Sequence, residues 1–116
     1  MKFSYNDAIE KQAFGIKILE YYNKLSNASY PLDCAIAYFR SNEYPCKINH
    51  GFYEMFFIMN GECTIEFVDE TINLQKFDMY IIPPERKHSI KAINTDVLIV
   101  CTPPFSAKNV EFCQNE

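Results

Sequence analysis

His50 and Glu54 set an imidazole and a carboxylate four residues apart inside HGFYEMFFIMNG (His50 to Gly61), a run otherwise almost wholly apolar and aromatic. Its Phe, Tyr and Ile residues suit a pleated surface, so the run reads as a strand, and a period of two puts His50, Phe52, Glu54, Phe56 and Ile58 on one face. A lone carboxylate buried there costs several kcal/mol or stays protonated. Glu54 therefore needs a partner, and His50 or a metal ion could serve. The only other histidine, His88, follows in FDMYIIPPERKHSI, where a strand ends at Pro83-Pro84 and a short hairpin can deliver the imidazole to the same interior.

The elements that must position these groups are short strands. CAIAYFR, FYEMFFIM, ECTIEFV, TINL, MYII, HSIKAI and DVLIVC are separated by turn-forming residues. Asn60-Gly61 is a strong two-residue hairpin signal, and Asp69-Glu70 marks the next turn. In ECTIEFV, Cys63, Ile65 and Phe67 share one face, with Thr64, Glu66 and Val68 on the other. Many short strands with frequent turns imply two antiparallel sheets forming a sandwich or barrel from about residue 34 to about 103. In the N-terminal third, Ile9, Ala13, Ile16, Leu19 and Tyr22 recur at helical spacing. A short helical or irregular strap up to Gly15, followed by a strand, is expected.

Composition narrows the function. A chain of 116 residues, 48% of them apolar, supports one core, so residues 1–116 read as one domain. A net charge of −4 with no basic cluster argues against nucleic acid as a partner. No apolar run reaches bilayer length and the first residues lack the apolar segment of a signal peptide, so a cytoplasmic protein without membrane partners is expected. The five cysteines are odd in number and form no CxxC pair. Reduced, structural thiols are expected, with Cys46 and Cys113 the exceptions that lie outside the apolar runs.

The pattern from about residue 32 to 105 resembles the cupin superfamily, whose first motif is G-x5-H-x-H-x3 or x4-E-x6-G and whose second is G-x5-P-x-G-x2-H-x3-N. Counted with x3, His50, Glu54 and Gly61 stand at the second histidine, the glutamate and the closing glycine, while Pro83 and His88 match the second motif. CTPPF at 101–105 looks like a strand end of the mannose-6-phosphate isomerase-like group. Ile48 stands in the place of the first histidine, Asn42, Phe77 and Glu85 replace motif glycines, and Ala92 replaces the final Asn.

The resemblance implies an all-β, double-stranded β-helix, that is, a cupin or jelly-roll barrel. It also implies a divalent metal ion (Fe, Mn, Ni or Zn) held by His50, Glu54 and His88, the donor set of a facial triad, with Ile48 facing the same cavity. Tyr38 and Tyr80 are candidates for handling a proton, and a homodimer is implied. Two functions fit: a metal-dependent isomerase or oxygenase acting on a sugar, sugar phosphate or organic acid, or a non-catalytic small-ligand-binding or sensing cupin that has lost its metal. Arg40 reads as an exposed strand end, and the charged tip Glu85-Arg86-Lys87 as solvated.

Overall fold

A computed structural model describes residues 2–13, 15–22, 30–40 and 44–113. A 3-10 turn at Tyr5–Asp7 precedes the strands, which among the described residues are β1 (Ile9–Ala13), β2 (Ile16–Tyr22), β3 (Asp33–Phe39), β4 (Cys46–Asn49), β5 (Tyr53–Asn60), β6 (Cys63–Phe67), β7 (Thr71–Leu74), β8 (Met79–Ile82), β9 (His88–Ala92), β10 (Thr95–Thr102) and β11 (Val110–Cys113). They form a six-stranded sheet, in the order β1-β2-β3-β10-β5-β8, and a five-stranded sheet, β11-β4-β9-β6-β7. Every pairing is antiparallel. This is the expected jelly-roll barrel.

The alternation read from the sequence decides which side chains face inward. On β6, Cys63, Ile65 and Phe67 are buried while Thr64 and Glu66 are half-exposed. On the other sheet, β10 runs between β3 and β5 in a register that stacks three inward-facing rows: Ala37-Val97-Ile58, Ala35-Ile99-Phe56 and Asp33-Cys101-Glu54. Full burial of Phe56 and Ile58 contributes roughly 1.5–3 kcal/mol each. The third row carries two carboxylates into an apolar interior. At Gly61 the chain crosses from β5 in the six-stranded sheet to β6 in the five-stranded one, in place of the hairpin expected at Asn60-Gly61, because β5 takes its partners from β10 and β8. Gly61 has φ +89°, and a Cβ there would lie 2.6 Å from Thr95 Oγ1. Only glycine fits that close approach.

The strand expected after Gly15 is β2, but the segment before it differs from expectation. Instead of a helical strap, β1 and β2 form a hairpin around Gly15, whose φ is +79°. The helical spacing loses because β2 pairs with β3 along nearly its whole length, and the backbone bonds of an added strand outweigh a weak helical preference interrupted by glycine. Cross-strand ion pairs, Lys11 with Glu20 (2.7 Å) and Lys17 with Glu10 (3.7 Å), accompany the hairpin.

Two of the residues that stand for motif glycines keep a glycine-like backbone. Phe77 has φ +73° and Glu85 has φ +69°, both in the left-handed region. Asn42 lies outside the described residues. All five cysteines are free thiols, with Cys63 and Cys101 in the core and Cys46 directly opposite Cys113 across β4 and β11.

Candidate functional site

Glu54 leaves β5 toward the barrel interior and is only 5% exposed. Its cationic partner comes from the facing sheet. On β4, Lys47 and Asn49 share the face that meets it: Lys47 Nζ lies 3.1 Å from Oε1 and 3.4 Å from Oε2, and Asn49 Nδ2 donates to Oε1 at 3.0 Å. Lys47 is paired in register with His88 on β9, and this brings His88 Nε2 to 4.0 Å from Glu54 Oε1. Burial alone would push the Glu54 carboxyl upward, but the Lys47 ammonium and the hydrogen bonds from Asn49 and Lys47 hold it below the usual carboxylate range.

His88 is 1% exposed, and burial lowers its pKa, which favours the neutral ring. Nδ1 lies 2.8 Å from the Arg86 carbonyl oxygen, so it carries the proton and donates, and Nε2 is left as an acceptor. Among the described residues that lone pair has no partner, nor does Asn49 Oδ1.

The structure brings Glu54 and His88 together but places His50 elsewhere. β4 ends at Asn49, the chain bends through Gly51 at φ +79°, and β5 begins only at Tyr53. The period-two count from His50 to Glu54 is broken by that bend. The His50 ring is exposed and bridges Glu85 (Nδ1 to Oε1, 2.9 Å) and Glu111 (Nε2 to Oε1, 2.8 Å), and these hydrogen bonds, the Glu111 one first, raise its pKa. His50→Gln is therefore expected to leave the buried cluster and the fold unchanged within experimental error. In the native chain an NMR titration should find His50 titrating above the model-peptide value and His88 below it; the reverse order would contradict these placements.

Counting the first motif with x4 instead of x3 puts Lys47 and Asn49 at its two histidine positions. The spacing held that signal, and the continuous strand assumed across Gly51 hid it. Ile48, by alternation, lies on the opposite face of β4 from Lys47 and Asn49 and does not border the interior cavity.

This donor set does not fit a divalent cation. It offers one carboxylate, one imidazole and one amide, and the Lys47 ammonium, which has no lone pair to give, sits across both oxygens of Glu54. Among the described residues no group of three His, Cys, Asp or Glu side chains is arranged to hold a metal ion. The compensating charge that Glu54 requires is an amino acid of the same chain.

Beside the cluster lies a cavity of about 400 Å³ between the two sheets. Its walls are largely apolar, with Ile16, Ile18, Phe56 and Phe105 among them, and Glu20, Asp33, Lys47 and Glu54 supply the charges. Asp33, not singled out by the sequence, is 8% exposed at the start of β3. Its Oδ2 accepts the Phe105 N–H at 2.6 Å, yet burial, helped by the nearby Glu20 and Glu54 carboxylates, pushes its pKa up to about 6.

The tyrosines lie apart from the cluster. Tyr38 is on the opposite face of β3 from Asp33, with Lys17 and Arg40 over its ring at 5.5 and 5.4 Å. Tyr80 packs against Phe67, and its hydroxyl oxygen accepts from Arg86 Nη1 at 3.4 Å. Arg86 is more than a solvated tip. It stacks 3.6 Å over Phe67 and pairs with Asp69 and Glu70, fastening the Pro83-Pro84 loop, which crosses from β8 in one sheet to β9 in the other and forms no hairpin, to the β6–β7 turn.

Several solved structures share the fold. Pac13 of Streptomyces, a nucleoside dehydratase solved with uridine, superposes with a TM-score of 0.83 at 12% identity, covering 98% of this chain and 90% of that one. KdgF from Halomonas sp. gives 0.72 at 16% identity over 89% and 94% of the two chains. Oxalate decarboxylase of Lactobacillus farciminis gives 0.77 at 22% identity, covering 95% of this chain but 35% of that longer one. No curated protein matches the sequence. Residues 30–114 match the AraC-like ligand binding domain, a cupin-type domain, and the chain belongs to that family.

Proposed function

We propose that this protein is a binding module for a compact small molecule, held in the barrel cavity without a metal ion. The observation that carries the reading is the Lys47 ammonium seated on Glu54, which occupies with a side chain the position a cation would need. Family membership supports it, since the matched domain is a ligand-binding one. The cavity is large enough for a compact molecule, and its apolar walls supply burial while a few polar groups fix orientation. Sugar phosphates and organic acids fit poorly, because the carboxylates bordering the cavity outnumber its lysine.

Thermal denaturation with a panel of nucleosides, sugars, amines and acids tests the reading, with uridine included because Pac13 is seen with it in the same fold. A ligand at about 100 times its dissociation constant should stabilise the fold by roughly 2.7 kcal/mol, a shift on the order of 10 °C at this size. Iron, manganese, nickel and zinc salts should give no comparable shift. A metal shift lost in Glu54→Gln, with none from organic compounds, would overturn the proposal.

One observation favours catalysis as a second reading: a neutral His88 with an unpartnered Nε2 beside an ionised carboxylate is equipped to accept a proton. Consumption of a bound compound, lost in His88→Gln, would establish it. The reading also includes a homodimer formed through the outer face of the six-stranded sheet, where Tyr53, Met79 and Ile81 are exposed. Light scattering at micromolar concentration should return twice the chain mass of 13.6 kDa, and Ile81→Lys should return it to one.

A further inference from the structure

The two carboxylates of the row Asp33-Cys101-Glu54 are treated differently by the fold. Glu54 has Lys47. Asp33 has the Phe105 N–H and the neighbouring Cys101 thiol, but among the described residues no lysine, arginine or histidine forms an ion pair with it. The charges that bear on it are those of Glu20 of β2 and Glu54 of β5, both acidic. Glu20 has its own partner in Lys11, which is half-exposed on β1 and directed at Glu20. Asp33 is thus a buried carboxylate in an apolar cavity whose cation the fold does not provide.

The cavity's lysine does not supply that cation, since its ammonium lies against both oxygens of Glu54. His88 Nε2 and Asn49 Oδ1, buried acceptors without partners among the described residues, belong to the Glu54 cluster and not to the cavity's lining, and add no charge to it. What the cavity lacks is a positive charge for Asp33.

We infer that the ligand of this cavity is a compact organic cation, an amine with an apolar body, whose ammonium pairs with Asp33 while its carbon skeleton packs against Ile16, Ile18, Phe56 and Phe105. The inference rests on the reading that the cavity binds a small molecule and names the chemical class. An ammonium supplies three N–H donors and the charge together, whereas a hydroxyl supplies one donor and no charge. A carboxylate or phosphate ligand would face Asp33, Glu20 and Glu54 without a cation of its own.

The test is calorimetry on the full chain with three probes that share one body: benzylamine, benzyl alcohol and benzoate. At about pH 7.5 the amine should bind at least roughly tenfold more tightly than the alcohol, with benzoate the weakest. Asp33→Asn keeps the shape and the acceptor for the Phe105 N–H, and should cost the amine at least about tenfold while moving the alcohol by less than about threefold. Lowering the pH to about 5 should weaken amine binding to the native chain by about tenfold, because Asp33 takes up a proton; of the groups that face it, Glu54 is held ionised by Lys47, the Cys101 thiol stays neutral, and Glu20 is engaged by Lys11.

Equal affinity for amine and alcohol, an unchanged amine affinity in Asp33→Asn, or hits from the wider panel that are all neutral or anionic would overturn the inference and leave the binding reading standing. Failure of every compound in both experiments would take down the binding reading, and the inference with it. Should Asp33→Asn not fold, the pH dependence of amine binding to the native chain decides alone: weakening at about pH 5 supports the inference, and an unchanged affinity overturns it.

Discussion

Lys47→Met should cost the fold about 3–5 kcal/mol near neutral pH, because it leaves Glu54 charged and unpaired in the interior. Methionine keeps most of the volume and the unbranched shape, so packing loss is small and the penalty is electrostatic. The pH dependence identifies the cause. In the native chain Glu54 has a lowered folded-state pKa, so its contribution is present above the unfolded value and lost as pH falls through the folded one. Without Lys47 the dominant remaining influence is burial, which raises the folded-state pKa, and the ionised carboxylate then destabilises as pH rises. The gap between native chain and variant should therefore narrow toward about pH 4, where the variant can protonate Glu54. Lys47→Met combined with Glu54→Gln should recover most of the loss. Urea denaturation at several pH values reads all three quantities. A loss under about 1 kcal/mol, or one independent of pH, would mean that the ion pair does not hold the two sheets together.

Asp33→Asn should move stability in the opposite direction. The folded-state pKa of Asp33 is raised to about 6 by burial, so the stabilising form is the protonated one. That stability is fully present below the unfolded value and is lost as pH rises through about 6. The native chain should accordingly weaken between about pH 4 and about pH 7, and the amide variant should lack that component of the slope. Near neutral pH the variant is expected to be more stable by about 2 kcal/mol, since a shift of about two pK units corresponds to slightly more than that and the cavity lets some solvent reach the group. A protein that gains stability on losing a charged group holds the group for another reason. If the variant is no more stable and its urea midpoint follows pH as the native one does, Asp33 is not a strained carboxylate.

The barrel was legible because its cues are local. The alternation in ECTIEFV and the proline break at Pro83-Pro84 fix a strand and a strand end that the structure keeps, and Asn60-Gly61 marks the end of β5, although the chain there crosses to the other sheet in place of the hairpin its sequence signals. The N-terminal hairpin was not legible, since pairing with β3 is a non-local contact that overrides the spacing of Ile9, Ala13 and Ile16. The need of Glu54 for a compensating charge followed from burial alone. Which group meets that need did not, because a single bend at Gly51 changes the face on which every earlier residue falls. Asp33 was invisible for a similar reason: its inward position comes from its register with Cys101, on a strand 68 residues further along the chain.

The last strand sets how the interior can be reached. β11 joins its sheet through β4 alone, and among the described residues β4 meets β9 at the one pair Lys47–His88. Val110 and Phe112 of β11 border the cavity. A ribbon joined to the rest of its sheet at one pair is expected to open more readily than β10, which is paired on both sides over its length, so amide hydrogen exchange should be faster along β4 and β11 than along β10. Lys47 is the β4 residue of that pair. The side chain that neutralises Glu54 thus also stands at the seam between ribbon and barrel, and a molecule drawing the ammonium away from Glu54 would act on that seam.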